Sequence, residues 1–174
     1  AGGGVGGHCI PKDPWLLAFG ARDKIHTNLI PAARFINDSM PLHVAELVKI
    51  ALTSFGVSLS EAKIVVLGYA YLEDSDDFRN SPSEILVQYL KGENAEVIIQ
   101  DPYIPEYQNE ILESVQGCDS VIIMVAHQAY RDIDLKKLKH ALRLPILIDA
   151  RRIVSPEKAK RSGLVYYGIG HPYI

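Results

Sequence analysis

Five short apolar runs between residues 62 and 168 constrain this chain more than any other feature. They are Lys63-Ile64-Val65-Val66-Leu67-Gly68, Ala95 to Gln100, Ser120 to Val125, Pro145 to Ile148 and Leu164 to Tyr167. Each is short and almost wholly apolar, the pattern of a strand covered on both faces. Helical segments fall between them, near 82–91, 106–115, 135–142 and 156–162. Strands alternating with helices predict an α/β fold, a Rossmann-like parallel sheet with helices on both faces. Ser81-Pro82-Ser83-Glu84 predicts a helix start, with a Ser cap, Pro at the first position and Glu to close a capping box. The expected strand order, 3-2-1-4-5, sets the first and fourth strands side by side. It brings Tyr69 and Tyr71 towards Arg151 and Arg152, at the carboxyl ends where such sheets bind ligands. Tyrosine can stack on a base and arginine can grip phosphate; the alternative is a local ion-pair network around Asp149. Gly68 alone ends the first strand, so the Gly-rich phosphate turn of a dinucleotide site is missing and this sheet is a poor candidate for NAD.

A short helical segment is expected to precede the sheet. Trp15 to Phe19 reads as a helix closing near Gly20, and Asn28 to Asn37 as a second. Residues 41–55 read as a third, with Pro41 in its first turn and Gly56 at its end. Val44, Leu47, Val48, Ala51, Leu52 and Phe55 recur at helical spacing and must be buried, on this chain or on a partner. The expected division is therefore 1–58, a loop and helical segment, and 59–174, the sheet domain.

The chain opens on Gly2-Gly3-Gly4-Val5-Gly6-Gly7-His8-Cys9-Ile10-Pro11-Lys12-Asp13-Pro14-Trp15. Gly2, Gly4 and Gly7 match G-x-G-x-x-G in spacing only. No strand leads in, and Pro11 and Pro14 are expected to interrupt a helix leading out, so a dinucleotide turn is rejected. A linker is the plain alternative for the glycines. The compact set of thiol, cation, carboxylate and indole that follows favours a loop presenting Cys9 as a nucleophile near a helix N-terminus. Lys12 would raise its thiolate fraction. Asp13 would either activate water or cap the following helix.

Composition excludes several classes. The 174 residues carry a net charge of −3 and no basic run, which gives no nucleic-acid surface. No apolar stretch approaches the roughly 20 residues of a membrane span. Two cysteines in unlike contexts make no disulfide framework and point to a reducing, cytoplasmic setting; Cys118 reads as an inert buried thiol. The histidines, His26, His43, His127, His140 and His171 among them, have no ligand spacing, and no metal is expected. A start at Ala1, inside a motif and without methionine, is expected to mark a fragment of a longer protein.

The Cys9 loop resembles the active-site loop of the UDP-glucose/GDP-mannose dehydrogenase family. Gly7-His8-Cys9-Ile10 followed by Asp13-Pro14-Trp15 is most similar to the members that act on UDP-N-acetyl-D-mannosamine. Gly68-Tyr69-Ala70-Tyr71 with Asp76-Asp77-Phe78-Arg79-Asn80-Ser81-Pro82 is similar to the segment that opens the family's UDP-binding domain. Asn37-Asp38, Asp101-Pro102 and Asp149-Ala150-Arg151-Arg152 also match, in order, so the resemblance spans essentially the whole chain. One position departs: Leu72, then Glu73, stands where the family often has lysine. The resemblance implies oxidation of the sugar C6 alcohol to a carboxylate with two NAD+, through a thiohemiacetal and a thioester on Cys9. It implies Lys12 and Asp13 beside Cys9 and sugar contacts from Gly4, Val5, Gly6, Gly7 and His8. It places nucleotide contacts at Tyr69, Tyr71, Leu72 and Arg152, and a cofactor contact at Arg79. It implies that NAD is held mainly by a domain this chain lacks, that the chain alone is inactive, and that the protein is a homodimer. UDP-glucose and UDP-N-acetyl-glucosamine are the nearest alternative substrates. A nucleotide-binding or dimerisation module with no cysteine chemistry is the alternative from another class.

Overall fold

The structure is a computed structural model and describes residues 2–171; Ala1 and residues 172–174, the outer ends of the two expected segments, lie outside it. Five parallel strands form one sheet: β1 (Lys63–Leu67), β2 (Glu96–Gln100), β3 (Ser120–Ile123), β4 (Ile146–Asp149) and β5 (Val165–Gly168). Alternate residues of β1 explain why the runs are continuous: Ile64 and Val66 face one core, Val65 and Leu67 the other. The expected sheet with helices on both faces is the one found.

The strand order is β2-β1-β3-β4-β5. This corrects the expected 3-2-1-4-5: β3 lies between β1 and β4, which are not neighbours. The order in which strands are added reverses at β1/β3, and the ligand crevice of such a sheet opens at that switch point.

The helices are α1 (Cys9–Ala21), α2 (Leu29–Ser54), α3 (Pro82–Gly92), α4 (Ile111–Val115), α5 (Gln128–Arg131), α6 (Leu135–Ala141) and α7 (Pro156–Arg161). Several differ from expectation: α5 was not expected, and of the helix expected near 106–115 only α4 and a 3-10 turn at Pro105–Tyr107 form. The helix after the glycines begins at Cys9 itself and runs through Pro11 and Pro14. The two helices expected over 28–55 are one, with Pro41 inside it. Proline removes one N–H and leaves the Asn37 carbonyl without its helical donor. The helix continues because Val44, Leu47, Val48, Ala51 and Leu52 are buried against β1, β3, β4 and α3 in a single core. That stripe is therefore covered by its own chain; Phe55, at its end, stays 39% exposed. At α3 the capping box is half formed. Ser81 Oγ accepts from Ser83 N at 3.1 Å, while Glu84 turns towards Gln88.

Candidate active site

The crevice floor is built by two buried groups at strand ends. Asp101, just past β2, receives the N–H groups of Tyr69 (2.7 Å), Ala70 (3.0 Å) and Tyr103 (2.9 Å). His127, just past β3, accepts from Asp74 N at 2.8 Å through Nδ1. Its proton therefore sits on Nε2, 3.2 Å from Asp101 Oδ2. Both side chains are fully buried. Burial pushes the Asp101 carboxyl up, but the His127 donor and the three backbone N–H groups outweigh it and hold the carboxyl below its usual range. The pair thus fixes the Tyr69–Asp74 loop, and Tyr103 Oη adds a 3.0 Å bond to Asp74.

That loop seats the cysteine loop. Gly7 N donates to Arg79 O (2.9 Å), and Asn80 Nδ2 donates to Gly7 O (2.9 Å). Gly7 has φ +91° and a Cβ there would meet the Tyr71 ring at 2.8 Å, so only glycine fits between the two loops. From the other side Asn37 holds both polar groups of Val5, accepting from its N at 2.9 Å and donating to its O at 3.1 Å. The loop then passes Met124 beyond β3 and reaches Arg151 beyond β4 at Gly2. It therefore lies across the carboxyl ends of β1, β3 and β4.

Cys9 is exposed and is the first residue of a 13-residue helix. His8 Nδ1 lies 3.9 Å from Cys9 Sγ. The turn into α1 brings these two adjacent side chains together. Lys12 is bound to Asp13 at 2.7 Å, and this bond, above all, raises its pKa. The pairing spends part of the positive charge that was expected to act on Cys9, and it leaves Asp13 an ion-pair partner at the solvent surface.

The expected nucleotide residues separate. Tyr71 and the exposed Leu72 flank the crevice at the glycine loop. Tyr69 instead packs on Phe78 and Tyr107, with ring centroids 5.9 and 5.1 Å away. Burial pushes its phenol up to about 12. Its ring is committed to the fold and its backbone to Asp101. With β3 between β1 and β4, the tyrosine loop and the arginine loop sit at opposite ends of the glycine loop. It is Arg151 that meets Gly2; Arg152 is exposed, at φ +56°. Arg79 is gripped by Asp77, with Nη2 to Oδ2 at 2.5 Å. Asp149 accepts from Arg151 N (3.0 Å) and Val154 N (2.8 Å) rather than from an arginine side chain, and burial raises its carboxyl. No role was expected at Asn37, Asn80, Asp101 or His127; Arg151 was expected beside the tyrosine loop and lies instead at the far end of the glycine loop. The signal for two of them was present: Asp101 and His127 are polar residues directly after buried strands.

The profile of the UDP-glucose/GDP-mannose dehydrogenase family, UDP binding domain, matches residues 65–156, just over half of the chain. The chain belongs to this family. A UDP-N-acetyl-D-mannosamine dehydrogenase of Pyrococcus horikoshii is 37% identical over 167 residues, covering 96% of this chain and 39% of the relative. The solved structure of the UDP-D-ManNAc dehydrogenase from that organism superposes with a TM-score of 0.90 at 36% identity, over 99% of this chain and 40% of the other. An NDP-N-acetyl-D-galactosaminuronic acid dehydrogenase from Methanosarcina mazei Go1 gives 0.89 at 32% identity, over 98% and 39%. This member of the UDP-glucose/GDP-mannose dehydrogenase family thus spans about two fifths of the length of the relatives it matches. Among its described residues no group of side chains could hold a metal ion, and no helix is long and apolar enough to cross a membrane.

Among the described residues, the turn after β1 differs from a dinucleotide-binding turn. β1 ends on one glycine, and α3 opens 15 residues after that strand rather than on the turn itself. The glycine-rich loop does open a helix, contrary to expectation, but no strand leads into it among the described residues.

One consequence is open to measurement. In Asp101→Asn the amide oxygen can replace Oδ2 only by turning its NH2 towards Tyr103 N–H, donor against donor. We expect a loss of about 2–3 kcal/mol in urea unfolding at neutral pH. The pH dependence has a definite sign. The folded carboxyl is held below its unfolded value, so its contribution is complete above the ordinary carboxylate range and is lost as pH falls through the lowered folded pKa. The variant should lack that acid-side slope.

Proposed function

We propose that this chain is the cysteine-bearing, uridine-nucleotide-binding part of an NAD-dependent UDP-sugar 6-dehydrogenase, acting on UDP-N-acetyl-D-mannosamine. The observation that carries this is the docking of the Cys9 glycine loop across the ligand crevice of the sheet, held there by the Tyr69–Asn80 segment. A ligand lying in the crevice would meet the loop backbone from Gly4 to His8 at its sugar end and Tyr71, Leu72 and the Arg151-Arg152 loop at its nucleotide end. The relatives' names supply the sugar.

The chemistry assigned to this chain is thiol chemistry. Cys9 thiolate adds to the C6 aldehyde and the oxygen takes up a proton, giving a thiohemiacetal. Once that carbon has been oxidised to the thioester, water attacks it, the C–S bond breaks, and carboxylate and thiol are released. On this reading Asp13, released from Lys12, would orient that water, and His8, 3.9 Å from Cys9 Sγ, would exchange the thiol proton. The oxidations belong to NAD, for which this sheet has no cradle; on this reading the cofactor is held mainly by sequence outside the chain, with Arg79 reaching towards it. The same reading makes the chain inactive alone, the whole protein cytoplasmic, and the assembly a homodimer through the helical segment. Leu29, Phe35 and Ile36 of α2 are exposed there; a monomer in sedimentation velocity would sink the dimer.

Calorimetric titration of the chain tests the proposal. UDP and UDP-N-acetyl-D-mannosamine should bind, the acetamido sugar more tightly than UDP-glucose, and NAD+ should not. NAD+ binding without uridine binding would overturn the assignment of this sheet. A preference for UDP-glucose would overturn the substrate.

A further inference from the structure

Ten of the 18 lysines and arginines lie between residues 131 and 161, against four of the 21 acidic residues, although the whole chain is acidic. The fold turns this spread of charge inward on a concave surface. A bowl of about 530 Å³ opens between the α5–α6 segment and α7, on the sheet face away from α2 and α3. Arg131, Lys136, Lys158 and Arg161 line it. Arg131 is lightly tethered, 3.5 Å from Glu73. Lys136, Lys158 and Arg161 make no ion pair among the described residues. One carboxylate, Asp134, also lines the bowl, but it is engaged as the cap of α6, accepting from Lys136 N (2.9 Å) and Lys137 N (3.2 Å). Half-buried Ile133 and Ile153 supply an apolar floor.

None of these residues meets the glycine loop, so the bowl is separate from the crevice. Its shape selects the ligand. A duplex or a membrane surface needs a flat or convex basic face, whereas a bowl of this volume has the size of a small-molecule site. Cations on the rim with an apolar floor fit a small molecule that is anionic at one end and flat and apolar at the other.

We propose that this bowl is an accessory site for a small organic phosphate, its phosphates held by Lys136, Lys158 and Arg161 and its apolar part resting on Ile133 and Ile153. The site does not depend on the uridine reading, and its probes avoid uridine. Pyrophosphate and adenosine 5′-diphosphate are titrated into the 174-residue chain, with backbone amide spectra recorded alongside. One saturable site is expected, ADP binding more tightly than pyrophosphate, with shifts concentrated in residues 131–136 and 153–162. Lys158→Gln/Arg161→Gln should weaken both ligands about tenfold or more and leave UDP at the crevice unchanged. Lys49→Gln, on exposed α2, should change nothing. Absence of saturable binding, equal affinity in the double variant, or shifts centred on residues 69–80 would each overturn the proposal. Pyrophosphate binding as tightly as ADP would overturn the role of the apolar floor.

Discussion

Gly68→Ala is expected to destabilise the chain by about 2–5 kcal/mol, from two independent sources. The residue sits at φ +93°, where a non-glycine backbone is strained by about 1–2 kcal/mol. A Cβ there would also lie 2.5 Å from Val125 Cβ, 2.6 Å from Val125 Cγ2 and 2.9 Å from Val125 N. Val125 is buried, and Gly68 N is tied to Gln100 O at 2.8 Å, so neither side can retreat cheaply. Overpacking of that kind adds about 1–3 kcal/mol. Gly117→Ala is the control: φ is +74° but nothing lies within 4 Å of the new Cβ, so only the backbone strain should appear. For a chain of this length each kcal/mol shifts the melting temperature by roughly 2–4 °C. Gly68→Ala should therefore melt about 4–20 °C below wild type and below Gly117→Ala. Equal melting of the two variants would show that the Val125 contact does not matter. The functional consequence follows from position, since Gly68 leads directly into the loop that Asp101 and His127 fix and that seats Gly7.

Much of this fold was legible because burial on both sheet faces leaves a plain mark. The strands sit within a residue or two of the apolar runs, and α3, α6 and α7 fall on the helical segments expected near 82–91, 135–142 and 156–162. Strand order was not legible. Every pairing in this sheet is parallel and reached by a crossover, and nothing in Ile64-Val65-Val66 says whether β3 or β4 lies beside it. Proline misled twice for one physical reason. Its rule concerns a lost hydrogen bond and a steric clash, and burial of Val44 to Leu52 on α2 outweighs both at Pro41. At Pro11 the missing N–H is one that the first turn leaves unpaired in any case. In the site, the cysteine loop could be read because its residue types are reactive. Asp101 and His127 were passed over as reactive groups because their work is to hold N–H donors in place, which depends on where three other loops come to rest. The choice between Arg151 and Arg152 likewise turns on a left-handed backbone at Arg152, which no side-chain pattern announces.

Alkylation of the two thiols should differ by more than a thousandfold at pH 7, and the comparison separates an enzyme part from a passive module. Cys118 is fully buried, donates to Ser114 O at 3.4 Å, and burial pushes its thiol up to about 11. At that value only about one molecule in 10⁴ is thiolate at neutral pH, before access is considered. Cys9 is exposed at the start of α1, with the His8 ring 3.9 Å away to take its proton. Iodoacetamide followed by peptide mass mapping should find the label on Cys9 while Cys118 reacts only after unfolding. His8→Ala should slow the Cys9 reaction by about threefold or more if the ring supports the thiolate. On the proposed reading UDP-N-acetyl-D-mannosamine should protect Cys9, because a sugar held at the loop would lie between reagent and sulfur. A Cys9 that reacts at the rate of a free thiol, indifferent to His8 and to uridine ligand, would leave the glycine loop with a purely structural role. The chain would then be a nucleotide-binding module whose cysteine does no chemistry, even with the sheet, the crevice and the docked loop all in place.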